Sequence, residues 1–93
     1  MDLHIKDVIR KYIKEDKRVG DAYYTQKIQE FWTNRLGESI DSRTSQLYFS
    51  RGILKVKMTS APLRHELFNS RKKLIEKINE FLGEDVVHKI EFS

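Results

Sequence analysis

The chain has 93 residues, a formal net charge of +4 and no cysteine, and 39% of its residues are hydrophobic. This length predicts one domain, residues 1–93, with a core too small to enclose a deep site. The absence of cysteine excludes disulfides, thiolate metal sites and cysteine nucleophiles. No stretch approaches the ~20 apolar residues of a membrane span and no signal peptide is evident, so we expect a soluble cytoplasmic protein.

Two helices are predicted before the first strand. Residues 1–18 form an N-terminal basic helix, capped by Asp2, whose apolar face carries Ile5, Val8, Ile9, Tyr12 and Ile13. Its other face carries Lys6, Arg10, Lys11 and Lys14. Residues 16–20 are predicted to be a connection containing Gly20, and Asp21 to cap the second helix. That helix ends at Gly37 or continues through Ile40, and its buried stripe is Tyr24, Ile28, Phe31, Trp32 and Leu36.

A β-hairpin is predicted next, from residues 44–50 and 53–58. A two-residue turn at Arg51-Gly52, or a four-residue loop over residues 50–53, places both apolar sets on one face. The predicted inner face is Leu47, Phe49, Leu54, Val56 and Met58, and the predicted outer face is Tyr48, Lys55 and Lys57.

A long helix and a last strand complete the predicted fold. Ser60 is a suitable N-cap, Pro62 falls in the first turn, and Gly83 is a natural residue to follow the helix end. The helical stripe is Leu63, Leu67, Leu74, Ile75, Ile78, Phe81 and Leu82. The last strand, residues 86–92, places Val86, Ile90 and Phe92 on the core face, and His88 shares that parity. The predicted fold is a two-layer α+β sandwich of order α-α-β-β-α-β, with helices on one face of a three-stranded sheet.

The positive charge is concentrated in the middle of the chain. Residues 43–73 contain eight basic residues and one acid, Glu66. Such a region is typical of a surface that faces a polyanion, although it can also be an ordinary solvated face. The predicted nucleic-acid-binding residues are Arg43, Tyr48, Arg51, Lys55, Lys57, Arg64, Arg71 and Lys72. Tyr48 would stack on a base and the cations would neutralise phosphates, or the lysines would only discourage edge-to-edge aggregation.

The sequence contains no catalytic constellation. Its four glycines are isolated, so there is no phosphate-binding loop or dinucleotide fingerprint. His4, His65 and His88 are far apart and lack the spacing of metal ligands. We therefore predict no metal, no cofactor and no enzymatic activity, and we interpret His88 as a partly buried strand residue. Trp32 is interpreted as a core anchor rather than a stacking platform.

Residues from about Ile28 to Phe92 resemble the DciA family of bacterial replicative-helicase loaders. The resemblance rests on the ordered set Trp32, Leu36-Gly37-Glu38-Ser39-Ile40, Arg43-Thr44, the run from Gly52 to Ser60, Leu63 to Leu67, Leu74, Ile78, Asn79, Leu82-Gly83, Val87, Ile90 and Phe92. It implies a single KH-like domain, residues 1–93, with the matching region within residues 21–93, that binds DNA and the replicative helicase. The chain lacks the Gly-x-x-Gly loop with which ordinary KH domains clamp a nucleic-acid backbone.

The resemblance therefore favours a non-enzymatic DNA-binding adaptor that assists helicase loading during replication initiation. DNA binding is expected to be weak and salt-dependent because only surface side chains would hold the strand. The sequence does not place the helicase contact, and the N-terminal basic helix, with Lys6, Arg10, Lys11 and Lys14, is one candidate for it. Two alternatives stay open: an RNA- or ribosome-associated KH-like module, and a protein–protein adaptor that binds no nucleic acid.

Overall fold

The computed structural model describes residues 17–93. In chain order its elements are α1 (Lys17–Phe31), a π-helical segment (Trp32–Leu36), α2 (Glu38–Asp41), β1 (Thr44–Ser50), β2 (Ile53–Met58), α3 (Ala61–Asn69), α4 (Arg71–Leu82) and β3 (Lys89–Phe92). The α+β class and the predicted order of elements are confirmed. The predicted N-terminal basic helix lies outside the described residues. Within residues 17–93, no helix combines the length and the hydropathy of a membrane span.

The three strands form a mixed sheet in the order β1-β2-β3. β1 and β2 are antiparallel, with Ser50 paired to Ile53 across a two-residue turn, and β3 runs parallel to β2. Arg51 and Gly52 both have positive φ, 50° and 82°, as a type I′ turn requires. The shorter of the two predicted loops is therefore confirmed. The ladder is irregular only near the start of β1, between Thr44 and Gln46.

One face of the sheet is buried against the helices. All five predicted inner-face residues of the hairpin are buried, with Leu54 and Val56 almost completely so. They form one apolar cluster with helical residues that include Ile28, Leu67 and Ile78. Full burial of a side chain of this size contributes about 1.5–3 kcal/mol, so the cluster is the main source of stability. The other face of the sheet is covered by no helix of residues 17–93.

The connection predicted before the second helix is wrong over the residues that the structure describes. α1 includes Gly20 and Asp21, so Asp21 is not an N-cap. Its carboxylate instead accepts a hydrogen bond from the backbone N–H of Arg51, 3.4 Å away in the hairpin turn. Gly20 is buried within the helix, where glycine costs only about 1 kcal/mol relative to alanine and tertiary packing offsets it.

The end of the second predicted helix combines both expected outcomes. α1 continues as the π-helical segment to Leu36, and Gly37, at φ 89°, interrupts it before α2. The indole of Trp32 is 1% exposed and donates a hydrogen bond from Nε1 to Oγ1 of Thr44 at 2.9 Å. Thr44 in turn donates to the carbonyl of Ile40 at 2.8 Å. The interpretation of Trp32 as a core anchor is confirmed.

The single long helix predicted after the hairpin is wrong, because Ser70 divides it into α3 and α4. Ser70 has φ −101° and ψ 12°, outside helical geometry, and its N–H donates to the carbonyls of Glu66 and Leu67. The predicted ends are confirmed: the Ser60 hydroxyl accepts from the N–H of Leu63, and Gly83 follows α4 in the left-handed conformation. Phe81, which we placed on the buried stripe, is 37% exposed.

The last strand is shorter than predicted because a side chain of α4 holds the residues before it. Oδ1 of Asn79 accepts from the N–H groups of Val86 (3.1 Å) and Val87 (2.8 Å), and its Nδ2 donates to the carbonyl of Val87 at 2.9 Å. This pairing breaks the strand alternation, so Val87 is fully buried. His88 is exposed and precedes β3, so its predicted burial in the strand is wrong.

Candidate nucleic-acid interface

The uncovered face of the sheet brings Tyr48, Lys55 and Lys57 together, as predicted. Tyr48 and Lys55 are directly paired across the hairpin, and Lys57 is paired with Gln46, one step further along the same face. All three side chains are exposed, and the Tyr48 side chain is 45% exposed. Lys55 Nζ lies 5.6 Å from the centroid of the Tyr48 ring, within the range of a cation–π contact. An aromatic ring and two cations therefore share a surface on rigid strands.

The last strand adds two charged residues to this face that the sequence reasoning missed. Glu91 is in register with Lys55, and Lys89 is in register with Ile53. Lys89 Nζ lies 3.6 Å from Glu91 Oε1, and both side chains are exposed. The alternation of Lys89 and Glu91 around buried Ile90 could have indicated this placement, but only after β3 was known to lie beside β2. The open sheet face, defined as Tyr48, Lys55, Lys57, Lys89 and Glu91, is thus net positive.

Two of the predicted cations lie at opposite ends of β1. Arg51 is in the hairpin turn, after the last residue of the strand, and its side chain is exposed. Arg43 precedes the first residue and is tied to α2, where its Nη1 donates to the carbonyl of Ser39 at 2.9 Å and to the Ser39 hydroxyl at 3.3 Å. A strand of seven residues separates them by roughly 20 Å. Both arginines therefore flank the open sheet face rather than lie at its centre.

The other three predicted cations belong to the helical layer. Arg64 lies in α3, and Arg71 and Lys72 begin α4. Because the helices pack on the buried face of the sheet, these residues belong to a different layer of the sandwich from Tyr48. The structure consequently divides the eight predicted residues between two surfaces and does not bring them onto one face.

The described residues contain no cluster of metal-ligating side chains. No group of three or more histidine, aspartate or glutamate side chains within residues 17–93 could hold a metal ion. His65 and His88 are both exposed and lie on different elements. His4 and the predicted partner-binding residues Lys6, Arg10, Lys11 and Lys14 lie outside the described part of the chain. What the geometry offers is a surface for contact, with an aromatic ring and fixed positive charge.

Comparison with known proteins places the chain in a family but gives no individual relative. Residues 4–92 match the model of the family described as Dna[CI] antecedent, DciA. The match covers nearly the whole chain and starts earlier than the residues that carried the resemblance, so it includes most of residues 1–18, which were predicted to form the N-terminal basic helix. Searches of curated proteins and of solved structures found no match.

Proposed function

Because the chain belongs to the DciA family, and so has a role related to loading of the replicative helicase, we propose that it is a DNA-binding adaptor in that process. The DciA family is not a known enzyme family, and we propose that this chain performs no catalysis. Its partners would be the replicative helicase and DNA, in a cytoplasmic location. The single observation that carries DNA binding is the exposed Tyr48 ring flanked by Lys55 and Lys57 on an uncovered sheet face.

A single DNA strand suits this face better than a duplex. Bases of a single strand are free to stack, and base–aromatic stacking contributes about 1–3 kcal/mol per base. Lys55 now lies near the Tyr48 ring, so an arriving base would displace its ammonium group from the ring toward a phosphate. Lys57 would neutralise a neighbouring phosphate. Contacts made through surface side chains alone fit weak binding that depends on ionic strength.

The remaining predicted cations have supporting roles in this proposal. Arg43 and Arg51 flank the open sheet face and would extend its positive field along the strand direction. We propose Lys6, Arg10, Lys11 and Lys14 as the contact with the helicase, because they are basic residues of the predicted N-terminal helix. That assignment rests on charge alone.

The salt dependence of binding tests the DNA surface. Each lysine that neutralises a phosphate of a single strand adds about 0.7 to the slope of log K against log salt. Lys55→Gln and Lys57→Gln should therefore each lower the slope by about 0.7, which corresponds to about fivefold weaker binding at 0.1 M salt. Fluorescence anisotropy with a labelled oligothymidylate measures the slope. Tyr48→Ala should weaken binding but leave the slope of log K against log salt unchanged, because the ring is uncharged.

Lys77→Gln is the matched control, since Lys77 is an exposed lysine of α4 that lies off the open sheet face. It removes the same charge and should leave the slope unchanged. Equal effects of all three lysine substitutions would show that the protein attracts DNA only through its net charge, and would refute the assignment to this face. Stronger binding of a structured RNA than of the oligothymidylate would favour the RNA-module alternative.

A further inference from the structure

The break at Ser70 makes a corner between two helices. α3 ends at Asn69 and α4 begins at Arg71, with Ser70 alone outside helical geometry. An open depression of the surface lies at this corner and is lined by the five residues from Asn69 to Lys73. We define the α3–α4 corner as Phe68 together with these five residues. Neither Lys72 nor Lys73 contributes to the core, so folding does not require positive charge at this surface.

Three consecutive cations of the corner have no acidic partner within the described chain. Lys72 and Lys73 are exposed, and Arg71 is partly exposed. No carboxylate of residues 17–93 lies within the 4.0 Å ion-pair distance of their charged nitrogens, although Glu76 is one helical turn from Lys72. Like charges held side by side repel one another, and a polyanion relieves that repulsion. The field of three adjacent cations suits a chain of phosphates better than a single carboxylate.

The corner also presents an exposed aromatic ring whose contact with an arginine is fixed. The Phe68 side chain is 45% exposed, and the guanidinium carbon of Arg71 lies 4.2 Å from its ring centroid. Arg71 Nη1 donates to the carbonyl of Phe68 at 3.1 Å, so the guanidinium is anchored at both its face and one edge. Its other N–H groups are oriented in the fork that matches two phosphate oxygens. An anchored arginine beside an exposed ring can hold one nucleotide by its phosphate and its base.

We propose that the α3–α4 corner is a second nucleic-acid-binding site, which holds one segment of a single strand while the open sheet face holds another. The two surfaces lie in different layers of the sandwich, so an oligonucleotide of about four nucleotides, roughly 14 Å long at 3.4 Å per nucleotide, would occupy only one of them. The inference rests on the proposed DNA binding of the sheet face and adds a valency of two. A chain with two sites would hold two segments of one single strand apart from each other, or would hold two separate strands together.

Counting oligonucleotides bound per chain tests this proposal. Native mass spectrometry of the full chain with a four-nucleotide oligothymidylate, at low ammonium acetate concentration, should find two bound per wild-type chain. Lys72→Glu/Lys73→Glu should bind one, Lys55→Glu/Lys57→Glu should bind one, and the quadruple variant none. Glutamate in the first turn of α4 is favourable for the helix, so the corner variant should keep its fold, which circular dichroism checks.

A matched control separates the corner from general charge. Lys77→Glu lies on the same helix and should still bind two oligonucleotides. One oligonucleotide per wild-type chain, lost only on substitution of the sheet face, would overturn the second site and leave the proposed function intact. Two oligonucleotides bound to the Lys72→Glu/Lys73→Glu variant would also overturn the second site. No binding to the wild type at any concentration would contradict the proposed DNA binding itself.

Discussion

Replacing Asn79 with alanine removes the side chain that holds the residues leading into β3. Its amide makes three hydrogen bonds to the backbone of Val86 and Val87, and Nδ2 also donates to Oδ1 of Asp85 at 3.1 Å. Val87 is fully buried, so its N–H and carbonyl groups would lose their partner where water does not reach. Each unsatisfied buried group costs about 1–3 kcal/mol, and we expect a loss of about 3 kcal/mol in all.

That loss is large for a chain of this size. At 0.05–0.15 kcal/mol per residue, the free energy of unfolding is roughly 5–14 kcal/mol. A loss of about 3 kcal/mol should lower Tm by about 12–24 °C, measured by thermal and urea unfolding followed by circular dichroism. Asp85→Ala is the control, because it removes only one exposed hydrogen bond of the same amide and should cost less than ~1 kcal/mol. An equally small loss for Asn79→Ala would refute the reasoning.

Asn79→Asp distinguishes the hydrogen bonds from the packing of the side chain. A carboxylate can still accept from the N–H groups of Val86 and Val87, but its second oxygen would face the Val87 carbonyl and the Asp85 carboxylate. Protonation supplies the missing donor, so the folded state should raise the pKa of the new carboxyl group. The variant should therefore approach wild-type stability as pH falls and lose it as pH rises. A difference from the wild type that is independent of pH would contradict this account.

Two further substitutions test the core and the hairpin turn. Trp32→Ala should cost about 3–5 kcal/mol in the free energy of unfolding, because it empties a fully buried position; a loss below ~1 kcal/mol on urea unfolding would contradict the core assignment. Gly52→Ala should cost about 1–2 kcal/mol, since an L residue is strained at φ 82° and its Cβ would lie 2.9 Å from the His88 ring. Adding His88→Ala should recover only the part due to that contact, and full recovery would show that backbone strain is negligible there.

The hairpin was predictable because its geometry depends on local parity. Alternation of apolar and polar residues over 47–58 defines the inner face, and only an even loop keeps both strands in phase. The helix break at Ser70 was not predictable in the same way. Leu67 and Leu74 are seven residues apart, close to two full turns, so the apolar stripe continues in phase across the break. Periodicity reports which face is buried and is insensitive to a change in helix direction.

The residues around the last strand were misjudged because a distant side chain replaces a strand neighbour. From alternation alone, His88 shares the core parity of Val86 and Ile90. In the structure, the amide of Asn79 pairs with Val87 much as a neighbouring strand would, and Val87 points inward instead. Such a contact between a helix and a loop seven or eight residues later leaves no periodic pattern in the sequence. The same is true of Asp21, whose side chain bonds to the hairpin turn thirty residues away.

The division of the positive charge into two surfaces is also a tertiary property. Along the chain, Lys55 and Lys57 precede Arg64, Arg71 and Lys72 with few acids between them, and the sequence therefore suggests one patch. In the structure these charges are divided between the sheet, which carries Lys55 and Lys57, and the helical layer, which carries the others. If all these cations formed a single patch that bound one strand, the effect of one substitution on the free energy of binding would depend on whether another cation had been replaced. Two separate surfaces predict independent effects, because sites that share no partner contribute additively to the free energy of binding.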